Sequence, residues 1–308
     1  MYDTINMYYN ILDNPAPSVE KLFEHCNNKS EHYNVKNDSS YVQGNLKNMR
    51  VTLNESSISV KGSICKYFYG NNIDTLNLTN TREALAQIST DLSIDINKAT
   101  VSRIDFSTNI KTNYTPTAYY PYLGTLTRFE RFELPNSIYY NQEAKRLLFY
   151  DKIKEAKKKQ MSIPKQHIGD NLLRYELVIN RDVPRYLKYN GLYVQDLGTE
   201  ELFKKLLHIW YGYYQQIQKH SKTLNPMKHK IINPSTFKNE MYSALVRKYP
   251  HLFYNIVAEL KADKTFKHPE YYSRINAEIR KIQKTQVVEN ELMDELNSKI
   301  EGIYLELI

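Results

Sequence analysis

Two segments of the sequence each place an arginine and an acid two residues apart, where polar and apolar residues alternate. Arg103 and Asp105 lie in one segment, and Arg174 and Glu176 lie in the other. Because alternate residues of a strand share a face, each arginine and its acid lie on the polar side. In one sheet, the two carboxylates could bind Mg²⁺ or Mn²⁺. The arginines could hold the acids or bind a phosphate, although such pairs are commonly structural.

Two adjacent tyrosines, Tyr139 and Tyr140, precede the most basic stretch of the chain. A tyrosine hydroxyl with the usual pKa of about 10 is a poor nucleophile, but a nearby cation favours the phenolate and polarises a phosphodiester. On a strand the two rings point to opposite faces, so only one can face a metal. Most of the 27 tyrosines are expected to serve packing. The basic residues that follow are Lys145, Arg146, Lys152, Lys154, Lys157, Lys158, Lys159 and Lys165.

The elements that must position these residues follow a period of two over much of the first two thirds of the chain. In the segment with Asp105, the residues Ile104, Phe106, Thr108 and Ile110 form the opposite, mainly apolar face. In chain order the sequence predicts a helix that begins at 18–23, β structure over 41–69 with a turn at 53–57, a helix over 79–92, a strand over 101–110, a β block over 123–151 with turns at 135–136 and 141–144, a short helix over 152–159 and a strand over 172–180.

After about residue 198 the pattern changes to that of amphipathic helices. Thr199 is predicted to cap a helix whose first turn is acidic. Further helices are expected between Pro234 and Pro250, over 251–261 and, as one long helix, from Pro269 onward. The inward residues of that last helix are predicted to be Ile275, Ile279, Ile282, Leu292, Leu296 and Ile300.

This change of pattern predicts an α+β protein in two parts. A mainly antiparallel sheet flanked by helices is expected over 1–197, followed by a helical region over 198–308. The charge is also uneven. Residues 101–250 carry a net charge of +12, whereas 1–100 and 251–308 each carry −2. A positive field in the middle of the chain suits a polyanion such as nucleic acid, although a solvated basic surface is as simple an explanation.

Composition excludes several other classes of protein. With 9 glycines in 308 residues, the chain has neither a GxGxxG nor a GxxxxGK[ST] motif for nucleotide phosphates. Its two cysteines, Cys26 and Cys65, are too few for a disulfide framework and lack metal-site spacing. We find no signal peptide and no apolar run of membrane-spanning length, so we expect a soluble protein of a reducing cytoplasm.

Four motifs, taken in order, resemble those of the replication initiators of filamentous phages, the gene II/X type, and of the trans-acting initiators of small rolling-circle plasmids. The similar region covers about residues 100–190. The matching motifs are Arg103-Ile104-Asp105, Ser137-Ile138-Tyr139-Tyr140, Phe149-Tyr150-Asp151-Lys152 and Arg174-Tyr175-Glu176-Leu177.

The resemblance implies nicking and joining of one DNA strand at a replication origin. Tyr139 matches the family's nucleophile, with Tyr140 in reserve because Asn141 and the two residues after it depart from the family's pattern. The resemblance also implies Mg²⁺ or Mn²⁺ bound by the two acids, and a family lysine matches Lys152. The side chains expected to bind phosphate or DNA are Arg103, Arg174, Lys145, Arg146, Lys154, Lys157 and Lys158.

The implied partner is origin DNA, single-stranded or as a hairpin, in the cytoplasm of a bacterial host. A host helicase and polymerase are further candidates, a homodimer is possible, and no membrane is expected. The helical region 198–308 would then serve origin recognition, oligomerisation or support. Nickases with paired histidines are excluded because no two histidines are separated by one residue, and tyrosine recombinases because His-x-x-Arg is absent. The alternatives are a non-catalytic nucleic-acid-binding protein of a mobile element and, less favoured, a structural phage protein.

Overall fold

The computed structural model describes residues 1–36, 38–219, 234–284 and 291–308, and it contains a ten-stranded antiparallel sheet. The strands are β1 (Tyr2–Asn10), β2 (Asn27–Asn34), β3 (Ser39–Leu46), β4 (Met49–Leu53), β5 (Ser57–Ser63), β6 (Thr100–Thr112), β7 (Glu130–Leu134), β8 (Ser137–Asn141), β9 (Lys145–Asp151) and β10 (Asn171–Ile179). Their order is β2-β3-β4-β5-β1-β6-β10-β9-β8-β7. The predicted α+β class with a mainly antiparallel sheet is confirmed.

Helices connect several of the strands along the chain and dominate its C-terminal third. They are α1 (Val19–Leu22), α2 (Ile64–Tyr69), α3 (Leu78–Leu92), α4 (Lys152–Lys158), α5 (Val183–Leu187), α6 (Glu200–Gln216), α7 (Pro234–Lys248), α8 (Pro250–Ala262), α9 (Glu270–Lys284) and α10 (Glu291–Leu307). The hydroxyl of Thr199 accepts the backbone N–H of Leu202 and so caps α6 as predicted. In the described ranges, none of these helices is long and apolar enough to cross a membrane.

The central strand β1 is the main element that the sequence pattern did not predict. Ile5, Met7 and Tyr9 are buried at alternate positions, yet the pairing of β1 with β6 shifts register between Tyr2 and Ile5. This bulge breaks the period of two near the start of the chain. The predicted helix at 18–23 is a single turn, although Ser18 does cap it by accepting the backbone N–H of Lys21.

One face of the sheet packs against α6 and forms a core. Tyr175 of β10 stacks on Phe149 of β9 with 4.4 Å between ring centroids, and its hydroxyl donates to the carbonyl of Trp210 at 2.9 Å. Trp210 and Tyr214 of α6 are fully buried on this face. These aromatic contacts fix the orientation of β9 and β10, because the rings interdigitate and the Tyr175 hydroxyl finds a partner. We call the opposite face, which carries Asp105 and Glu176, the polar face.

The chain divides into two compact units. The first comprises 1–120, 125–218 and 296–308, and the second comprises 121–124 and 219–295. The division does not coincide with the predicted boundary at 197/198, because α6 belongs to the same unit as the sheet on which Trp210 packs. In the second unit, α7, α8 and α9 enclose a core of Val246, Val257, Tyr272 and Ile279.

The predicted long helix from Pro269 is described as α9 and α10, and residues 285–290 between them lie outside the described part. Ile275 and Ile282 pack on the core of the second unit, as expected of inward residues. Leu296 and Ile300 are fully buried and belong to the first unit. The apolar positions of this segment therefore serve two different cores.

Candidate active site

The structure brings the two predicted acids together on neighbouring strands. In the antiparallel pairing of β6 with β10, Asp105 lies opposite Val178, and Glu176 lies opposite Ser107. The acids are therefore diagonal neighbours on one face, with about 7–8 Å expected between such positions. Their proximity has an electrostatic consequence, since the charge of Glu176 is one of the causes that raise the pKa of Asp105.

Asp105 is buried but accepts two hydrogen bonds from one arginine. Arg103 Nε donates to Oδ1 and Nη2 donates to Oδ2, both at 2.8 Å. Burial raises the pKa of Asp105 to about 7, and the charge of Glu176 adds to this, while the bonds from Arg103 oppose it. The Arg103 side chain remains 34% exposed. Asp105 is therefore poised between its two protonation states near neutral pH, and an added cation would favour the carboxylate.

Arg174 lies at the centre of a buried polar network. Its guanidinium is ion-paired with Asp3 through Nη2 and with Glu176 through Nε, the latter at 3.1 Å. Nη1 donates to the carbonyl of Asn72 at 3.1 Å and to Oδ1 of Asn109 at 3.3 Å. The side chain is only 1% exposed. Of the two roles that the sequence left open for Arg174, the structure supports holding an acid, and the predicted contact with DNA phosphate has no surface from which to form.

Tyr150 also positions Glu176. Its hydroxyl donates to Oε2 of Glu176 at 3.3 Å, the same oxygen that accepts from Arg174. Burial raises the pKa of Tyr150 well above its ordinary value, so the phenol keeps the proton that it donates. Tyr150 lies in the motif Phe149-Tyr150-Asp151-Lys152, from which the sequence predicted no role for the tyrosine. The period of two in β9 would have placed it on the polar face.

Lys152 is buried and hydrogen-bonded within the same network. Its Nζ donates at 2.7 Å to Oδ1 of Asn72 and at 2.7 Å to Oε2 of Glu155. Burial lowers the pKa of Lys152 to about 8, with a further contribution from the charge of Arg174. Asn72 in turn donates to Asp3 at 3.0 Å. Lys152 therefore supports the loop that holds Arg174, rather than projecting a free amine from the polar face.

Sequence reasoning missed Asp3 and Asn72, the two partners that complete this network. Asp3 accepts from Ser63 as well as from Arg174 and Asn72, and despite burial these partners lower its pKa. It lies at the bulge of β1, where the alternation of Ile5 and later residues could have signalled a strand. Asn72 lies in the segment between α2 and α3, and no local sequence pattern singles it out.

The two candidate tyrosines lie on opposite faces of β8. Tyr139 pairs with Leu148 of β9, which pairs with Glu176 of β10, so the three residues form one row across the polar face. Two strand spacings of about 4.8 Å separate the backbones of Tyr139 and Glu176. Tyr139 is half-buried. Tyr140 is fully buried on the core face, 6.3 Å from the ring of Phe149, and burial raises its pKa to about 12.

The predicted basic residues separate into three groups. Arg146 pairs with Val178, which pairs with Asp105, so Arg146 shares the polar face next to the acids and is half-buried. Lys145 lies on the opposite face, where its Nζ donates to the hydroxyl of Tyr213 at 2.8 Å and lies 4.2 Å from the ring centre of Tyr186. Its predicted role in DNA binding is therefore unsupported by its position. The exposed lysines of α4 are Lys154, Lys157 and Lys158.

The chemistry of the acids fits a hard divalent cation. The described residues contain no cluster of three or more His, Cys, Asp and Glu side chains that could hold a metal. Mg²⁺ commonly binds one or two carboxylates and fills its other positions with water and substrate phosphate. Arg103 occupies two of the roughly four lone-pair sites of Asp105, and the hydrogen bonds to Glu176 use Oε2. Both carboxylates thus retain oxygen lone pairs for a cation.

Comparison with known proteins gives one family assignment. Residues 1–200 match the family model for the N-terminal part of the phage replication-associated protein of the gene II type. The matched range contains both acids, both tyrosines and the whole network around Arg174. No curated protein matches the chain.

Proposed function

The chain belongs to the gene II family of filamentous-phage replication initiators, and we propose that it starts rolling-circle replication by nicking one strand of origin DNA with Tyr139. The observation that carries this proposal is the row from Glu176 through Leu148 to Tyr139 on the polar face. A phenol on this face is within reach of a phosphodiester held beside the acids. The buried Tyr140 would have to leave the core to reach the same phosphate.

In the proposed reaction the oxygen of Tyr139 attacks the phosphorus atom of the scissile phosphodiester. A bond forms between that oxygen and phosphorus, and the bond between phosphorus and the 3′ oxygen breaks. The phenol proton is lost and the departing 3′ oxygen gains a proton, directly or through water. The products are a 5′-phosphotyrosine and a free 3′-OH, which a host polymerase extends. Joining is the reverse transfer, in which a 3′-OH attacks the phosphotyrosine.

The chain's own residues orient these reactants. The carboxylates of Asp105 and Glu176, which would bind Mg²⁺ or Mn²⁺, are held on one face by hydrogen bonds. The donors are Arg103, Arg174 and Tyr150. When bound, such a cation supplies charge stabilisation at the phosphate and favours the phenolate. Arg146, one row from Tyr139, is suited to bind a phosphate next to the scissile one. Lys152 acts through Asn72 as a positioning residue.

A covalent-adduct assay tests this proposal. The full chain is incubated with Mn²⁺ or Mg²⁺ and a labelled library of single-stranded and hairpin DNA, and the products are separated on a denaturing gel. We expect a metal-dependent, heat-stable protein–DNA band in the unmodified protein and its loss in Tyr139→Phe. Tyr140→Phe is the matched control, since it removes one hydroxyl from the adjacent residue on the other face.

Each outcome of the assay has a defined meaning. Loss of the band only in Tyr140→Phe would keep the mechanism but refute Tyr139 as the nucleophile. A band that persists in both variants would refute both residues. Binding without any covalent band, across a library that includes an origin, would refute nicking.

The second candidate is a non-catalytic nucleic-acid-binding protein. The specific observation in its favour is that both acids are paired with arginines, as structural ion pairs would be. A purely structural role does not require the two carboxylates to be neighbours. Burial raises the pKa of Asp105, and the charge of Glu176 raises it further. The covalent band separates the two candidates, because a binding protein would retain DNA affinity without forming it.

A further inference from the structure

A row of polar and basic residues continues from the candidate site across the N-terminal half of the sheet. Arg103 of β6 pairs with Asn6 of β1, Asn6 pairs with Lys61 of β5, and Lys61 pairs with Arg50 of β4. We call these four residues the basic row. Paired residues of antiparallel strands point to the same face, so the row lies on the polar face with Asp105 and Glu176. Measured across the strands, three spacings of about 4.8 Å, or about 14 Å, separate Arg103 from Arg50.

The basic row places like charges side by side. Lys61 and Arg50 are directly opposite each other on adjacent strands, an arrangement that destabilises a sheet. In the described part of the chain, neither residue has an ion-pair partner that would offset this repulsion. Arg50 is exposed and Lys61 is half-exposed. Two adjacent cations of this kind create a local positive field that suits a polyanion.

The polar face around the row contains no unpaired acid among the described residues of β1, β3, β4 and β5. The acid of β1, Asp3, is buried and ion-paired with Arg174. The other residues of these strands that point to this face are neutral or basic: Thr4, Asn6, Tyr8, Asn10, Ser39, Tyr41, Gln43, Asn45, Arg50, Thr52, Ser57, Ser59, Lys61 and Ser63. On the other face Val51, Ile58 and Val60 are fully buried. The sheet therefore buries one face and leaves a basic face beside the candidate site.

Aromatic rings on the same face favour a single strand over a duplex. Tyr8 lies next to the row, with the Nζ of Lys61 at 4.8 Å from its ring centre. Further along, His32 stacks on Tyr41 at 4.9 Å. Both tyrosines are half-exposed. Unpaired bases can stack on such rings while the backbone follows the cations, whereas a duplex keeps its bases stacked on one another.

We propose that the polar face of β1, β4 and β5 binds the single-stranded DNA that flanks the scissile phosphate, with Arg50 and Lys61 on its phosphates and Tyr8 under a base. This inference rests on the proposed function for the identity of the ligand, but the surface on β1, β4 and β5 is separate from the acids and tyrosines of the candidate active site. The strand would run across the sheet from the acids to Arg50, crossing the β-strands.

The test is a binding measurement in EDTA, where metal-dependent nicking cannot occur. Fluorescence anisotropy of a labelled 24-nucleotide oligothymidylate is followed from 50 to 200 mM salt. The double variant Arg50→Ala/Lys61→Ala is compared with Lys21→Ala/Arg185→Ala, which removes two exposed basic residues from α1 and α5 and leaves the polar face unchanged. Circular dichroism melting verifies that each variant is folded.

Loss of two phosphate contacts should reduce the salt slope of the double variant by about 1.4 and weaken binding roughly 10- to 30-fold at 0.1 M salt, since each contact contributes about 0.7 to the slope on single strands. The control should stay within about 3-fold of the unmodified protein. Tyr8→Ala should weaken binding on the order of 5-fold, whereas Tyr8→Phe retains the ring and should not.

Equal losses in the two double variants would overturn the inference, because general charge would then explain the binding. Loss of affinity for a 24-base-pair duplex with unchanged affinity for the single strand would also overturn it. The readouts keep the two proposals apart. If this pattern holds but no covalent band forms, the nicking proposal fails while the surface stands. If the band forms but Arg50→Ala/Lys61→Ala binds normally, the surface fails alone.

Discussion

Two segments of this protein carry the same Arg-x-acid pattern on the same face of one sheet, yet their surroundings differ. Arg103 keeps 34% of its side chain exposed and pairs with one carboxylate, whereas Arg174 is 1% exposed and pairs with two. The pattern therefore has two uses. In β10 the arginine anchors a buried network. In β6 the arginine holds Asp105, whose pKa lies near neutral pH. The same substitution at Arg103 and at Arg174 should therefore have unequal effects.

The largest expected difference is in stability. Arg174→Ala would leave Asp3 and Glu176 as buried carboxylates without their cation, which should lower the free energy of unfolding by about 3–5 kcal/mol. Arg103→Ala should cost about 1 kcal/mol or less, because its partner Asp105 can take up a proton instead. Urea unfolding of both variants at pH 7 measures the contrast. Equal losses would show that burial does not distinguish the two pairs.

The next effect concerns activity and should be similar for the two acids. Asp105→Asn and Glu176→Gln each remove one charged oxygen ligand, so we expect the rate of adduct formation to fall on the order of 100-fold or more. Titration with Mn²⁺ should show that the rate of adduct formation depends less strongly on the metal concentration in both variants. Should one variant retain the full rate, that acid would not belong to the metal site.

A smaller effect links pH to the stability of the segment with Asp105. The pKa of this carboxyl is raised to about 7 in the folded protein, above its unfolded value of about 3.9. The folded state therefore binds more protons between these values, and the stability contributed by the protonated acid is lost as pH rises from about 4 to 7. Asp105→Asn should remove this loss and be more stable than the unmodified protein at pH 8, on the order of 1–3 kcal/mol.

Thermal melts at pH 5 and pH 8 measure that effect. The matched comparison is Asp3→Asn, for which the opposite sign is expected. The pKa of Asp3 is lowered, because Arg174, Ser63 and Asn72 outweigh the effect of burial, so its charged form stabilises the folded state at neutral pH. A variant at Asp105 that is less stable than the unmodified protein at pH 8 would contradict the assigned direction of its pKa.

The smallest expected effect tests the support of Glu176. Tyr150→Phe removes one hydrogen bond of 3.3 Å and leaves the bonds to Arg174 intact. We expect a loss of about 0.5–1.5 kcal/mol in stability and a modest fall in adduct formation. A loss as large as that of Glu176→Gln in the adduct assay would assign Tyr150 a direct part in the reaction.

Much of the sheet was predictable because its strands alternate regularly. The strand over 101–110, the turns around 53–57 and 135–136, and the helices over 79–92 and 152–159 correspond to described elements. Whether β6 and β10 pair was left open by the sequence, because two strands with similar patterns need not be neighbours, and the structure shows that they are. The strand β1 was missed because its bulge interrupts the alternation, and β2, which is exposed along most of its length, carries no apolar periodicity. Alternation reveals a strand that buries one face, and β2 lacks it, whereas in β1 it begins only at Ile5.

The candidate site was predictable only in its local parts. Each arginine is two residues from its acid, so strand geometry alone predicts that they are neighbours. The partners in the buried network are distant in sequence. Arg174 bonds Asp3 across 171 positions of the chain, and Lys152 bonds Asn72 across 80. Nothing in a local pattern encodes such a pair.

The sequence by itself determined the alternation that gives β6 and β10 one polar face each, the choice of acids and tyrosines, and the family. Only the tertiary structure decided that Arg174 is buried and Arg103 is not, that Tyr139 rather than Tyr140 shares a row with Glu176, and that Lys61 faces Arg50 beside the site. The physical reason is that a strand's own pattern sets which side chains share a face, whereas register and the layers packed on each face set which of them are neighbours and which retain contact with solvent.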